Sequence, residues 1–119
     1  MASLSDLERA VLDAIAAQVP EHAPALSGQI SSAQVVGREN TGAGFFTKLA
    51  VTAGDKMPAA RSPLGDIGAD IEGIKHGMGF LLWLQDGVAD TLEGYTYEES
   101  TEGLDFVHAG FSDVRARLG

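Results

Sequence analysis

Gly79-Phe80-Leu81-Leu82-Trp83-Leu84-Gln85, followed at once by Asp86-Gly87 and then by Val88 to Tyr97, is the stretch that decides the fold. Asp and Gly in succession tolerate the positive φ of a two-residue turn whose twist matches its flanking strands, so the segment predicts a β-hairpin. The first arm is apolar at every position from Phe80 to Leu84. That predicts a central strand covered on both sides, by a helix on one and by something else, a partner subunit included, on the other. Met78 to Leu84 is also the longest uncharged apolar run, far short of the roughly 20 residues a membrane-spanning helix needs.

Before this hairpin, Asp66-Ile67-Gly68-Ala69-Asp70-Ile71-Glu72 alternates, placing Ile67, Ala69 and Ile71 on one face of a strand and Asp66, Asp70 and Glu72 on the other. Lys75-His76-Gly77 turns the chain. Further back, Gln29 to Arg38 reads as a first strand, Asn40-Thr41-Gly42-Ala43-Gly44 as a turn and Phe45 to Thr52 as a second strand. Ala53 to Gly65, with Gly54, Pro58 and Pro63, shows no period and is expected to be a long loop, either functional or slack. At the start, Ser5-Asp6-Leu7-Glu8 has the spacing of a helix capping box. Leu4, Leu7, Val11, Ala14, Ile15 and Val19 then recur at three and four residues, predicting a helix over about residues 4–19. After the hairpin, Leu104 to His108 reads as a last strand, while Val107, Phe111, Val114 and Leu118 at helical spacing predict a short helix or frayed end. The expected fold class is α+β: a single domain over residues 1–119, with an N-terminal helix packed on an antiparallel β-meander of about five strands.

A chain of 119 residues, 45% of them hydrophobic, is long enough for one core and too short for two. It contains no cysteine, which removes disulfides, thiolate nucleophiles and cysteine-ligated zinc. Acids stand in its first residues where a secretory signal carries basic ones, so a cytoplasmic protein is expected. The net charge is −9, and its placement is uneven: residues 66–113 hold eleven acids against the lone Lys75. A field of this sign repels phosphate backbones, so nucleic acid is disfavoured and no nucleic-acid partner is expected; a basic protein surface or a cation is allowed.

Residues at i and i+2 of a strand project the same way, so Asp70 and Glu72, with His76 just beyond, form the candidate set for a divalent metal. The solvated face of any half-buried strand shows the same spacing. Asp90 or Glu93 joins them if the strand register brings the hairpin alongside. No organic cofactor is expected, and no catalytic residue can be named: the chain lacks a P-loop, a dinucleotide fingerprint, a Gly-x-Ser-x-Gly elbow and a His-Glu-x-x-His pair. Gly37, Gly42 and Gly44 flank Arg38 and Lys48, but Phe45-Phe46 opens a strand where a phosphate loop would open a helix. Trp83 with Phe45, Phe46, Phe80, Tyr95 and Tyr97 suits a core, part of which could line an interface.

Gly42-Ala43-Gly44-Phe45-Phe46-Thr47, Gly79-Phe80-Leu81-Leu82-Trp83, Asp86-Gly87 and Leu92-Glu93-Gly94-Tyr95-Thr96-Tyr97 together resemble a group of short, single-domain bacterial proteins of unassigned function. The resemblance spans about the middle half of the chain and implies a bacterial origin and a compact domain. For function, the charge imbalance points to a binding module for a basic protein, as an inhibitor or immunity protein is, contacting it through Asp66, Asp70, Glu72, Asp90, Glu93 and Trp83. Two alternatives stand beside it: a small-ligand or metal-dependent enzyme built around Asp70 and Glu72, and a homodimer built on the Phe80 to Leu84 strand.

Overall fold

In a computed structural model of the chain, which describes residues 2–117, two helices lie on one face of a six-stranded antiparallel sheet. Helix α1 spans Asp6–Gln18 and α2 spans Ala23–Ser32; the strands are β1 (Gln34–Asn40), β2 (Gly44–Ala50), β3 (Leu64–Ile71), β4 (Met78–Gln85), β5 (Val88–Thr96) and β6 (Phe111–Ala116). The order across the sheet is β1-β2-β5-β4-β3-β6. The expected α+β class, an N-terminal helix packed on an antiparallel sheet, is what forms: β3, β4 and β5 run as a meander, the β1–β2 hairpin joins it beside β5, and β6 crosses to the far edge beside β3.

The capping box forms as its spacing requires. Ser5 Oγ accepts the Glu8 N–H at 3.1 Å and Glu8 Oε1 accepts the Ser5 N–H at 2.7 Å. Leu7, Val11, Leu12 and Ile15 then fall on the face of α1 turned to the sheet, where Ile67, Phe80, Leu82 and Leu92 are fully buried. Each such side chain contributes about 1.5–3 kcal/mol through apolar area removed from water. Asp86 and Gly87 both take positive φ, at 53° and 76°, and close the β4–β5 hairpin. No helix among the described residues is long and apolar enough to cross a membrane.

Three local expectations are corrected. Residues 29–32, read as the start of a strand, close helix α2. Pro24 opens that helix, Leu26 and Ile30 lie one turn apart on its buried side, and β1 starts only at Gln34. Leu104 to His108 is a run of turns rather than a strand: Phe106 tucks back onto Phe45 with ring centroids 4.6 Å apart. The segment expected to be a short helix is β6, because the outer edge of β3 is free and supplies ladder partners at Ile67, Gly68, Asp70 and Ile71. Pairing with a sheet edge outweighs the weak helical spacing of Phe111 and Val114.

Gln29 is the polar centre of the helical layer. Its side chain is fully buried; Nε2 donates to the Asp55 and Gly87 carbonyls at 2.6 and 3.0 Å, and Oε1 accepts the Ala89 N–H at 2.8 Å. It thus ties α2 to the long loop and to the hairpin turn. The Gly87 carbonyl keeps a second donor, Met57 N–H, so Gln29→Leu orphans the Ala89 N–H and the Asp55 carbonyl. Urea melts should show a loss of about 2 kcal/mol; a loss indistinguishable from zero would mean that water replaces the amide without penalty.

Candidate functional site

Strand alternation sends Leu82, Phe80 and Met78 under the helices and Trp83, Leu81 and Gly79 to the opposite face, which no element among the described residues covers. The helices supply the expected cover on one side of β4, and the described residues of the chain supply none on the other. Trp83 is 40% exposed, and Phe46 and Tyr97 nearly as much. Register builds this face in rows. Lys48, Thr91 and Trp83 are cross-strand neighbours, as are Phe46, Glu93 and Leu81, and then Gly44, Tyr95, Gly79, Gly68 and Arg115.

The third row explains its glycines. A Cβ on Gly79 would lie 2.3 Å from Tyr95 Cζ, and a Cβ on Gly68 would lie 2.9 Å from Arg117 Cγ. The missing side chains leave a trough across two central strands in which the Tyr95 ring and the Arg117 stem lie flat. Arg117 Nη1 donates to Tyr95 Oη at 2.7 Å, and its guanidinium stands 5.1 Å from the Tyr97 ring centroid. Tyr95 and Tyr97 meet edge to face at 5.8 Å. Burial and the neighbouring Tyr95 hold the Tyr97 hydroxyl above its ordinary pKa.

The acids predicted to act together are distributed over this face and largely matched there. Asp90 accepts from Lys48 Nζ at 2.6 Å; burial raises its pKa, but the hydrogen bonds from Lys48 and Thr91 outweigh that and bring it below its ordinary value. Asp66 faces Arg117 and Asp70 faces Arg115, each at 3.6 Å, and Asp113 shares Arg115 at 3.1 Å. Glu93 accepts the Trp83 indole N–H at 2.8 Å, which fixes the ring on the surface. Five carboxylates thus stand among three cations.

Neither Asp90 nor Glu93 lies beside Asp70 and Glu72, because β4 separates β5 from β3. Glu72 follows the end of β3, where it and Asp70 line a shallow depression with Phe111 and Ser112. His76 sits in the β3–β4 turn, where the N–H groups of Lys75 and His76 hold the Glu99 carboxyl below its usual range. Asp70, Glu72 and His76 do not converge: among the described residues no three His, Asp or Glu side chains gather closely enough to hold a metal ion.

No family model, curated protein or solved structure matches this chain. The face itself supplies exposed aromatic rings, an indole anchored on Glu93 and a surplus of carboxylates over cations. Phe46, Tyr95 and Arg117 belong to it although sequence reasoning did not single them out as a group. The signal for two of them was present: an interior strand glycine marks a close approach, and Gly68 and Gly79 mark the approaches of Arg117 and Tyr95.

Proposed function

We propose that the protein is a binding module that docks a basic protein surface onto the open face of its sheet, in the manner of an inhibitor or immunity-like protein. The observation that carries this reading is the uncovered face itself, with Trp83, Phe46 and Tyr97 exposed at its surface. Aromatic side chains held in place are the residue types that dominate binding energy at protein interfaces. The molecule is a thin slab of 37 × 34 × 19 Å, and its broad face exceeds the roughly 800 Å² per partner that a stable interface takes. Charge selects the occupant. The face keeps more carboxylates than cations, and the chain carries −9, so a second copy would meet like charge while a basic surface would be attracted.

The test is capture of binding partners from the source cells by the purified full-length protein, with identification of what is retained. A basic protein released by raised salt is expected, and Trp83→Ala should weaken its affinity about tenfold with an unchanged circular dichroism spectrum. Retention unaffected by both Trp83→Ala and Phe46→Ala would refute docking on this face. A dimer by light scattering that Trp83→Ala dissociates would assign the face to a second copy instead.

A further inference from the structure

A second concavity opens on the opposite side of the sheet, beside the N-terminus of α1, and is independent of the docking face. It measures about 170 Å³ and lies between β1, β2 and the connection from β5 to β6. Phe45 and Phe106 form one wall, and Leu104 and Val107 complete the apolar lining. The polar groups that reach it are already satisfied by one another. Glu8 accepts from Ser5 N, Arg38 Nε and Nη2 and Thr47 Oγ1, and Asn40 donates to the Thr101 and Leu104 carbonyls while accepting from Gly42 N and Thr101 Oγ1. Asp105 at the mouth accepts from Val107 N and faces His108 Nδ1. What the cleft offers to an incoming molecule is therefore apolar surface.

We infer that this cleft is a binding site for a small neutral aromatic molecule of about one ring. Its volume is close to that of cavities that accept benzene, about 150 Å³. Three acidic residues, Glu8, Glu39 and Asp105, line it against one guanidinium, Arg38, which disfavours an anion; Glu39, cross-strand partner of Phe46, alternates its side chain toward the other face and leaves Glu8 and Asp105 as the carboxylates at the cleft. Inside the cleft the Glu8 carboxylate is filled by Ser5, Arg38 and Thr47, and Asp105 lies out at the solvated mouth facing His108, so an ammonium group seated against the rings would lose its hydration without a carboxylate beside it. A neutral ring incurs neither loss and gains contact with Phe45 and Phe106.

Titration of the full chain with benzyl alcohol, followed by amide NMR, tests the assignment. Saturable shifts are expected at Phe45, Thr47, Leu104 and Phe106, with benzoate and benzylammonium binding at least tenfold more weakly. Val107→Phe should abolish the shifts, because Val107 is 38% exposed at the cleft and a larger ring there fills it while the rest of the spectrum stays dispersed as in the wild type. The inference is overturned if no amide around the cleft moves at the solubility limit, if all three compounds bind alike, or if Val107→Phe binds as the wild type does. Tighter binding of N-acetyl-tyrosinamide than of benzyl alcohol would also overturn it, by assigning the cleft to a protein side chain.

Discussion

Glu8→Ala is expected to lower the stability of the protein by about 3 kcal/mol, a large fraction of what a domain of this size has. Glu8 is 3% exposed, yet its carboxylate is filled by the Ser5 N–H at 2.7 Å, Thr47 Oγ1 at 2.6 Å and Arg38 at 2.8 and 2.9 Å. Alanine leaves a guanidinium, a hydroxyl and a backbone N–H without their acceptor, at the point where α1 meets β1 and β2. The loss comes chiefly from the Thr47 hydroxyl and the Ser5 N–H, which stay buried without an acceptor while Arg38 can turn to water. The melting temperature should fall by roughly 10 °C or more. A loss under about 1 kcal/mol would rank the interaction with surface ion pairs and defeat this account.

The same residue sets a pH dependence. Burial raises the Glu8 pKa, but the hydrogen bonds from Arg38, Ser5 and Thr47 outweigh it, leaving the folded value below the ordinary 4.5. A carboxyl depressed in the folded state contributes stability that is fully present above its unfolded pKa and is lost as pH falls through the folded one. The stability gap between wild type and Glu8→Gln should therefore be widest at neutral pH and narrow at about pH 3. A gap that widens with acid would mean that the carboxyl is buried protonated.

Gly44→Ala is expected to cost at least about 3 kcal/mol or to prevent folding. A Cβ there would lie 2.0 Å from the Gly94 carbonyl oxygen and 2.9 Å from Tyr95 Cα, both in the backbone of β5. Neither atom can move without separating β2 from β5. Gly68→Ala is the informative comparison, since its Cβ is crowded by the Arg117 stem, at 2.9 and 3.1 Å, and meets backbone at the ordinary contact distance of 3.6 Å, at the Met78 carbonyl. That flexible side chain can swing aside, so a cost of about 1 kcal/mol or less is expected, read as thermal melts of the two variants side by side. Equal losses would show that the contact with β5 backbone does not set the tolerance of the position.

Much of the fold was legible because its signals are local. Ser5 and Glu8 declare the start of α1 within four residues, Asp86-Gly87 declares the β4–β5 turn, and the alternation from Asp66 to Glu72 sorts one face of β3 from the other. Helix α2 was not legible in the same way. Its two apolar anchors, Leu26 and Ile30, are few, and Gln29 at its buried side serves partners at Asp55, Gly87 and Ala89 that only folding brings near. The strand at Phe111–Ala116 depends on the free edge of β3, a fact about the assembled sheet rather than about those six residues.

The candidate site divides along the same line. The sequence alone determined part of what the face holds: an indole at Trp83, strand acids at Asp66, Asp70, Asp90 and Glu93, and glycines inside strands. Strand order decided the rest. By inserting β5 between β2 and β4 it parted Asp90 and Glu93 from Asp70 and Glu72, gave Lys48 to Asp90 and Arg117 to Tyr95, and laid Tyr95 over a glycine trough. Periodicity along a chain specifies which way a side chain points; its neighbour across a sheet is set by contacts between segments far apart in sequence, and those exist only once the core has closed.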